Sequence, residues 1–280
     1  MNTRKMDTTS VFAITALLVA GLATVAMIAA AFGAFDSSDA DPPAVDADDG
    51  NDGDDGATAD PNADATEIAA SSATAMAAVT SVEFELERGG APIFIDEFER
   101  IALDSLRGQF SVPGRAQAEL NVTVNDNLAT RLGAVAVDDE VWISNPVTGD
   151  FETLPSGYDI DPSKFFDPEN GWGPLLGSLQ DVSLVAVDDH GGERYHITGT
   201  APAEQVSNIT VGLVQGQDVA VDLWVHPDTF LVTAAEFETT IGDATSQWAL
   251  ELDRYGDTFE IEPPANVRTA DADSRTDDNG

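Results

Sequence analysis

The sequence contains no cysteine among its 280 residues. This absence excludes disulfide bonds, cysteine-ligated zinc and the lipid-modified cysteine by which bacterial lipoproteins are anchored. Basic residues are also scarce, since 12 lysines and arginines stand against 51 aspartates and glutamates, for a formal net charge of −39. Because nucleic-acid binding and docking on anionic membranes both depend on clustered basic side chains, the composition argues against both.

The residue patterns of common enzyme classes are missing as well. The three histidines, at 190, 196 and 226, have no spacing typical of metal ligands, and the zinc-protease pattern H-E-x-x-H is absent. The hydrolase pattern G-x-S-x-G, the Walker A loop and the dinucleotide glycine fingerprint are absent too. The sequence therefore predicts a protein that is not an enzyme and that uses neither a cofactor nor a metal.

One long apolar run, Val11 to Phe35, contains no charged residue. As a helix it is long enough to cross a bilayer core of about 30 Å. Arg4 and Lys5 precede it and Asp36 follows it, so the positive-inside rule predicts a cytoplasmic N-terminus and an exported remainder. The run is interpreted as an uncleaved membrane anchor or, alternatively, as a cleaved signal peptide, whose apolar core is usually shorter. A buried helix of a soluble protein is the third interpretation.

Composition divides the chain into five segments. Residues 1–10 form a cytoplasmic tip, and residues 11–35 form the membrane or signal segment. Residues 36–64 are rich in Asp, Gly, Pro and Ala with almost nothing apolar to bury, which predicts a disordered acidic tether. A folded domain is predicted over residues 65–267, followed by a disordered tail over residues 268–280.

The acidity itself has two interpretations. A strongly negative surface repels itself and stays soluble in concentrated salt, which fits adaptation to a saline environment. An ordinary acidic exported protein fits equally well. Stability that does not rise between low and molar salt contradicts the first interpretation.

Apolar and polar residues alternate with a period of two through most of the predicted domain, which indicates half-buried strands. The clearest runs are residues 82–87, 116–124 and 219–226, and turn signals such as Pro113-Gly114 separate them. Helical patterns are predicted over residues 66–79, 162–166, 172–179 and 202–214. The predicted fold is α+β, with a large antiparallel sheet and a few helices that cover its apolar face.

Several short motifs resemble those of the LppX/LprG family of actinobacterial envelope lipoproteins. Residues Phe165 to Leu176 resemble its F-x-P-x-x-G-L-x-x-L-L segment, and Val141 to Phe151 resembles its N-P-x-T-G hairpin. Gly192 to Gly199, Leu223 to Thr229 and Ile261 to Pro264 resemble three further strands of the family. The five motifs occur in the family's order across the whole predicted domain.

The resemblance implies a LolA-like fold, in which a strongly curved antiparallel half-barrel carries helices on its concave face. It also implies an apolar cavity that holds the acyl chains of lipids or glycolipids, a role in carrying them through the cell envelope, and no catalytic residues. Family members usually carry an anchoring cysteine. This chain has none and offers residues 11–35 instead, so we expect an extracytoplasmic domain on the cell membrane, or a free exported carrier if the segment is cleaved.

The predicted ligand is an acylated lipid or glycolipid, and the predicted membrane contact is made by the N-terminal segment. No envelope transport partner can be named from the sequence. Trp172, between two glycines, is the candidate gate at a cavity mouth. The candidate lining consists of Phe84, Leu120, Val122, Val124, Val137, Phe166, Trp172, Leu175, Leu176, Leu179, Leu223 and Val225. The alternative is a surface interaction or sensor domain, in which the same residues form a filled core and the acidic outer face binds protein.

Overall fold

The computed structural model describes residues 58–95, 99–138, 140–145, 148–153, 170–210, 212 and 214–268. Contacts divide the chain into two units, of which the first comprises residues 1–54 and 145–149, and the second comprises residues 55–144 and 150–280. In the described part of the first unit, the N–H of Gly149 donates to the carbonyl of Asn145 (2.9 Å) and closes a turn. All elements below belong to the second unit.

Several predictions lie outside the described residues: the apolar run 11–35, the tip, most of the tether, the tail beyond Arg268 and the helix at 162–166. Within the described ranges, no helix is long and apolar enough to cross a membrane.

The described residues form three helices and thirteen strands. The helices are α1 (Ala65–Ala77), α2 (Trp172–Gly177) and α3 (Ala203–Ile209). The strands are β1 (Ser81–Gly90), β2 (Ile93–Phe94), β3 (Ile101–Ser111), β4 (Arg115–Val124), β5 (Leu128–Val137), β6 (Glu140–Ser144), β7 (Phe151–Thr153), β8 (Gln180–Asp189), β9 (Glu193–Ala201), β10 (Val219–Val225), β11 (Val232–Ile241), β12 (Ala244–Asp253) and β13 (Val267–Arg268).

The strands form one sheet in the order β13-β7-β6-β5-β4-β3-β1-β12-β11-β10-β9-β8, with β2 paired to β3. Every pairing is antiparallel except that of β13 with β7. The sheet does not close, because β8 and β13 lie at its opposite ends. The predicted antiparallel half-barrel with few helices is therefore confirmed, and β1 joins the two halves by pairing with both β3 and β12.

Helix α1 begins where Asp64 caps it. The Asp64 carboxylate accepts the backbone N–H groups of Thr66 (2.8 Å) and Glu67 (3.2 Å), which have no partner within the helix. Ile68, Ser72 and Met76 share a buried face at the i, i+4, i+8 spacing of a helix. The Ser72 hydroxyl, fully buried, donates to the carbonyl of Phe230 (2.7 Å), so its burial leaves no unpaired polar group.

Helix α3 ends five residues before the predicted boundary at Val214. The Thr210 hydroxyl donates to the carbonyl of Val206 (2.7 Å) and accepts the N–H of Val214 (3.1 Å). Gly212 has a φ of +80°, and its N–H reaches back to the carbonyl of Ser207 (2.8 Å). These contacts replace the next helical turn, because a left-handed residue closes the helix at low cost only when it is glycine.

The folded unit begins earlier than the sequence indicates. Ala59 is 4% exposed and belongs to the main core. Its N–H donates to Glu193 (3.0 Å), and the N–H of Asp60 donates to the hydroxyl of Tyr195 (3.2 Å). Residues 59 and 60, predicted as part of the tether, are thus held against β9 by hydrogen bonds from their backbone N–H groups.

The main core lies between the helices and one half of the sheet, and the face of the sheet that carries the helices is called the inner face below. Ile68 and Met76 of α1, Trp172 and Leu176 of α2 and Val206 of α3 pack there. Their sheet partners come mainly from β9 to β12 and β1. A separate cluster of Val137, Trp142 and Ile261 lies on the outer face of β5 and β6.

Tyr255 gives the core a dependence on pH. Its hydroxyl donates to the carbonyl of Val232 (2.5 Å), and burial, with a smaller contribution from Asp253, raises the pKa of Tyr255 well above its usual value near 10. A folded-state pKa above the unfolded one stabilises the fold below about pH 10, and this stabilisation is lost as the pH rises further. We expect the unfolding free energy to fall above pH 10 by roughly 1 kcal/mol per pH unit.

Urea unfolding at pH 9, 10 and 11 measures this slope. Tyr255→Phe removes the titrating group, so the variant is expected to be less stable at pH 9 and to lose less stability between pH 9 and pH 11. An equal slope in the variant and the parent contradicts the assignment to Tyr255.

Candidate functional site

A row of apolar residues crosses the inner face from one half of the sheet to the other. Strand pairing places its members opposite one another on seven successive strands. In the order from β10 to β5 they are Leu223, Ala235, Leu250, Leu86, Leu106, Leu120 and Leu132. The row joins the helix-covered half of the inner face to the half formed by β3, β4 and β5.

A second row runs beside the first and has three small residues in its centre. From β12 to β6 its members are Leu252, Phe84, Gly108, Ala118, Ala134 and Ile143. The Phe84 ring lies over Gly108, where an added Cβ would stand 2.8 Å from Phe84 Cζ and 2.3 Å from the carbonyl oxygen of Gln117. Glycine at 108 is therefore required for the close approach of this ring to β3.

The central part of the two rows is half-buried, whereas the β10 end of the first row is buried. We call this part the apolar strip and define it as Phe84, Leu86, Leu106, Gly108, Ala118, Leu120 and Ala134. Of these, Phe84 and Leu86 also border the helix-covered core. The strip thus presents apolar surface that the described helices leave partly accessible, next to a well-packed core.

Seven of the predicted lining residues lie together in or against the main core: Phe84, Trp172, Leu175, Leu176, Leu179, Leu223 and Val225. Leu120 lies on the apolar strip. Val122 and Val124 are 1% and 3% exposed and face Leu103 and Ile101 across the β3–β4 pairing. Phe166 lies outside the described residues.

Val137 lies apart from the others. Residues 134 and 136 point to the inner face, so the alternation of β5 sends Val137 to the outer face, where it packs with Trp142 and Ile261. The structure therefore does not bring Val137 to the predicted lining. The chain segment that includes Phe259 and Ile261 covers this outer patch and buries Val137 to 3% exposure.

Trp172 is a core residue at the start of α2, with 6% of its surface exposed. Its neighbour Gly173 serves helix packing, since a Cβ at 173 would stand 3.2 Å from the Ala77 Cβ and 3.3 Å from the Ala73 carbonyl oxygen of α1. The gating role of Trp172 stays a prediction, and its burial favours a role in stability.

The outer face of the central strands is polar. Glu119 lies 3.6 Å from Arg107 and 3.8 Å from Arg131, and these exposed ion pairs line a depression of about 200 Å³ together with Glu85 and Asn121. Exposed pairs of this kind contribute little to stability. The two faces of β1, β3, β4 and β5 thus differ sharply, with charge outside and the apolar strip inside.

Sequence reasoning missed Leu106 and Arg88 as inner-face residues. In β3 the alternation is broken at Asp104, where a bulge shifts the pairing between Leu103 and Ser105. The inner-face position of Arg88 could have been predicted from the sequence. Alternate residues of a strand point to the same face, and Arg88 lies two residues after Leu86 and four after Phe84 on β1.

An open antiparallel half-barrel, with helices on one half of its inner face and an apolar strip on the other, defines the class of fold to which this chain belongs. Within this class, the sequence model of the LppX_LprAFG lipoproteins matches residues 64–261, so the chain belongs to this family. The members of this family are extracytoplasmic, membrane-associated, lipid-binding lipoproteins and not enzymes. No curated protein matches the sequence.

Two crystal structures share the fold. LprF from Mycobacterium bovis is 17% identical, with a TM-score of 0.59, and the match covers 73% of this chain and 98% of LprF. The lipoprotein LppX from Mycobacterium tuberculosis is also 17% identical, with a TM-score of 0.50, and the match covers 70% of this chain and 97% of LppX. At this identity the likeness shows a common fold.

Proposed function

We propose that this protein holds the acyl chains of a lipid or glycolipid against the apolar strip and helps to carry them through the cell envelope. The observation that carries the proposal is the strip itself, which is apolar, half-buried and continuous across β1, β3, β4 and β5. Family membership supports the same function. The strip replaces part of the lining expected from the sequence, because Val137 lies on the other face.

The dimensions and energetics of the strip fit an acyl chain. Four strands at about 4.8 Å spacing span roughly 14 Å, which accommodates much of a long hydrocarbon chain. Each buried CH₂ contributes about 0.8 kcal/mol, so a chain of about 16 carbons recovers several kcal/mol after the cost of association. The small side chains of Ala118 and Ala134 leave room above the sheet for this chain.

The proposal includes a peptide anchor in place of the cysteine-linked lipid. Residues 11–35 supply the membrane segment, and the acidic residues 36–57 supply the tether. A flexible chain of this length has an end-to-end distance of roughly 25 Å, and charge repulsion extends it. The domain therefore stays near the membrane surface, where it can receive lipid. Cleavage after the apolar run would instead release a free carrier.

The test is mass spectrometry of an organic extract of the full chain, purified in a non-ionic detergent. We expect about one acylated lipid per protein chain, and the lipid's mass identifies its class. A mock purification without the protein gives the background from detergent and host membranes. A stable, lipid-free chain contradicts the proposal and favours the filled-core interaction domain.

A further inference from the structure

A single charged residue, Arg88, lies on the inner face next to the apolar strip. It follows Phe84 and Leu86 at the same parity on β1 and pairs with Trp248 of β12. The inner-face positions of β1, β3, β4, β5, β11 and β12 are otherwise uncharged throughout the described strands. Arg88 is therefore a local exception on an apolar surface.

The contacts of Arg88 hold its guanidinium in place without neutralising it. Nη1 donates to the carbonyl of Leu103 (2.6 Å), and Nη2 donates to the carbonyl of Ala91. The guanidinium carbon lies 4.9 Å from the centre of the Trp248 ring. The Nε atom is buried and has no hydrogen-bond partner among the described groups.

Arginines on the outer surface of this acidic protein pair with carboxylates: Arg107 with Glu119, and Arg254 with Glu83. Arg88 differs, since no carboxylate of the described residues forms an ion pair with it. Burial lowers the pKa of Arg88, and the more distant charge of Asp104 opposes this only in part. A partly buried cation without a counter-ion is costly, and an anion beside it removes much of this cost.

We propose that Arg88 recognises an oxyanion in the head group of the bound lipid, a phosphate or a carboxylate, so that the preferred ligand is an anionic acyl lipid. This inference rests on the function proposed above. A guanidinium has five N–H donors in a planar fork, of which one on Nη1 and one on Nη2 are occupied here, so the second N–H of each Nη remains for an oxyanion. Leu86 lies two residues away on the same face, at about 6.6 Å, which places the acyl chains on the strip.

The net charge of −39 does not prevent this recognition. At physiological ionic strength the Debye length is about 8 Å, so the carboxylates of the outer surface are largely screened from a ligand on the inner face. A direct charge-assisted hydrogen bond at Arg88 therefore outweighs the distant repulsion.

The test is native mass spectrometry of the full chain in a non-ionic detergent at 0.15 M ionic strength. Equimolar dioleoyl phosphatidylglycerol, dioleoylglycerol succinate and dioleoylglycerol carry the same acyl chains with a phosphate, a carboxylate or no anion. We expect at least one of the two anionic lipids to be bound about tenfold more than dioleoylglycerol. Inorganic phosphate at the same concentration is expected not to displace it, because phosphate lacks the apolar contribution.

Three variants distinguish the effect of the Arg88 side chain from the effect of the protein's net charge. In Arg88→Gln the preference for the anionic lipid is expected to fall to within about threefold, while dioleoylglycerol still binds. Arg107→Gln changes the net charge equally on the outer face, at a side chain that is 68% exposed, and is expected to keep the preference. Arg88→Lys keeps the charge without the fork and is expected to give an intermediate preference.

A failure of the proposed function can be distinguished from a failure of the Arg88 assignment. Binding of none of the three lipids contradicts the proposed function itself. Equal binding of neutral and anionic lipids by the parent protein overturns the assignment of Arg88, even if Arg88→Gln does not fold. An unchanged preference in a folded Arg88→Gln overturns it as well.

Discussion

Ala118→Phe is expected to reduce co-purified lipid about tenfold or more while leaving the fold stable. Ala118 lies in the centre of the apolar strip, half-buried, between Gly108 of β3 and Ala134 of β5. An added phenyl ring takes the place that we assign to an acyl chain, so it competes with the ligand for the same surface. Quantitative lipid extraction and thermal unfolding, applied to the same preparations, measure the two effects.

Ala129→Phe is the matched control for this substitution. Ala129 is exposed on the outer face of the neighbouring strand β5, so the same change there is expected to leave bound lipid unaltered. If the inner face is instead a filled core, Ala118→Phe overpacks it and costs about 1–3 kcal/mol. A lower melting temperature with no change in lipid content therefore favours the filled core over the lipid site.

Trp172→Ala is expected to destabilise the fold by about 3–5 kcal/mol, because it removes a large buried side chain and leaves a cavity between α2 and the core. For a domain of this size the melting temperature falls by roughly 2–4 °C per kcal/mol, or about 6–20 °C in total. Thermal and urea unfolding measure the loss.

Val185→Ala provides the comparison for Trp172. Val185 of β8 is 55% exposed, so its truncation is expected to change stability by less than about 0.5 kcal/mol. If Trp172→Ala alters lipid uptake while stability is unchanged, Trp172 acts as the gate that its glycine neighbours suggested. A large loss of stability assigns it to the core.

The type of fold was predictable because its signals are local. The alternation of β1, β4 and β10 needs only the period of two that a sheet with one apolar face imposes. The five family motifs likewise lie within short stretches of sequence. Helix α1 was predicted to within two residues at each end, since its alanine-rich pattern is local as well.

The order of the strands in the sheet could not be predicted from local sequence patterns. Strand β1 pairs with β3 and also with β12, and no local pattern connects residues that are about 160 positions apart. The bulge at Asp104 could not be predicted either. Leu103 and Leu106 are three residues apart, so regular alternation would place them on opposite faces, but the bulge places them on the same face.

By itself the sequence determined the antiparallel class, the family and the apolar character of the candidate site, because alternation and composition act residue by residue. Only the tertiary structure decided which apolar residues face the site. Strand β5 is apolar on both faces, with Ala134 and Ala136 inside and Val135 and Val137 outside. Val137 is buried outside because the distant residues Phe259 and Ile261 cover it, and such long-range packing depends on the order of the strands.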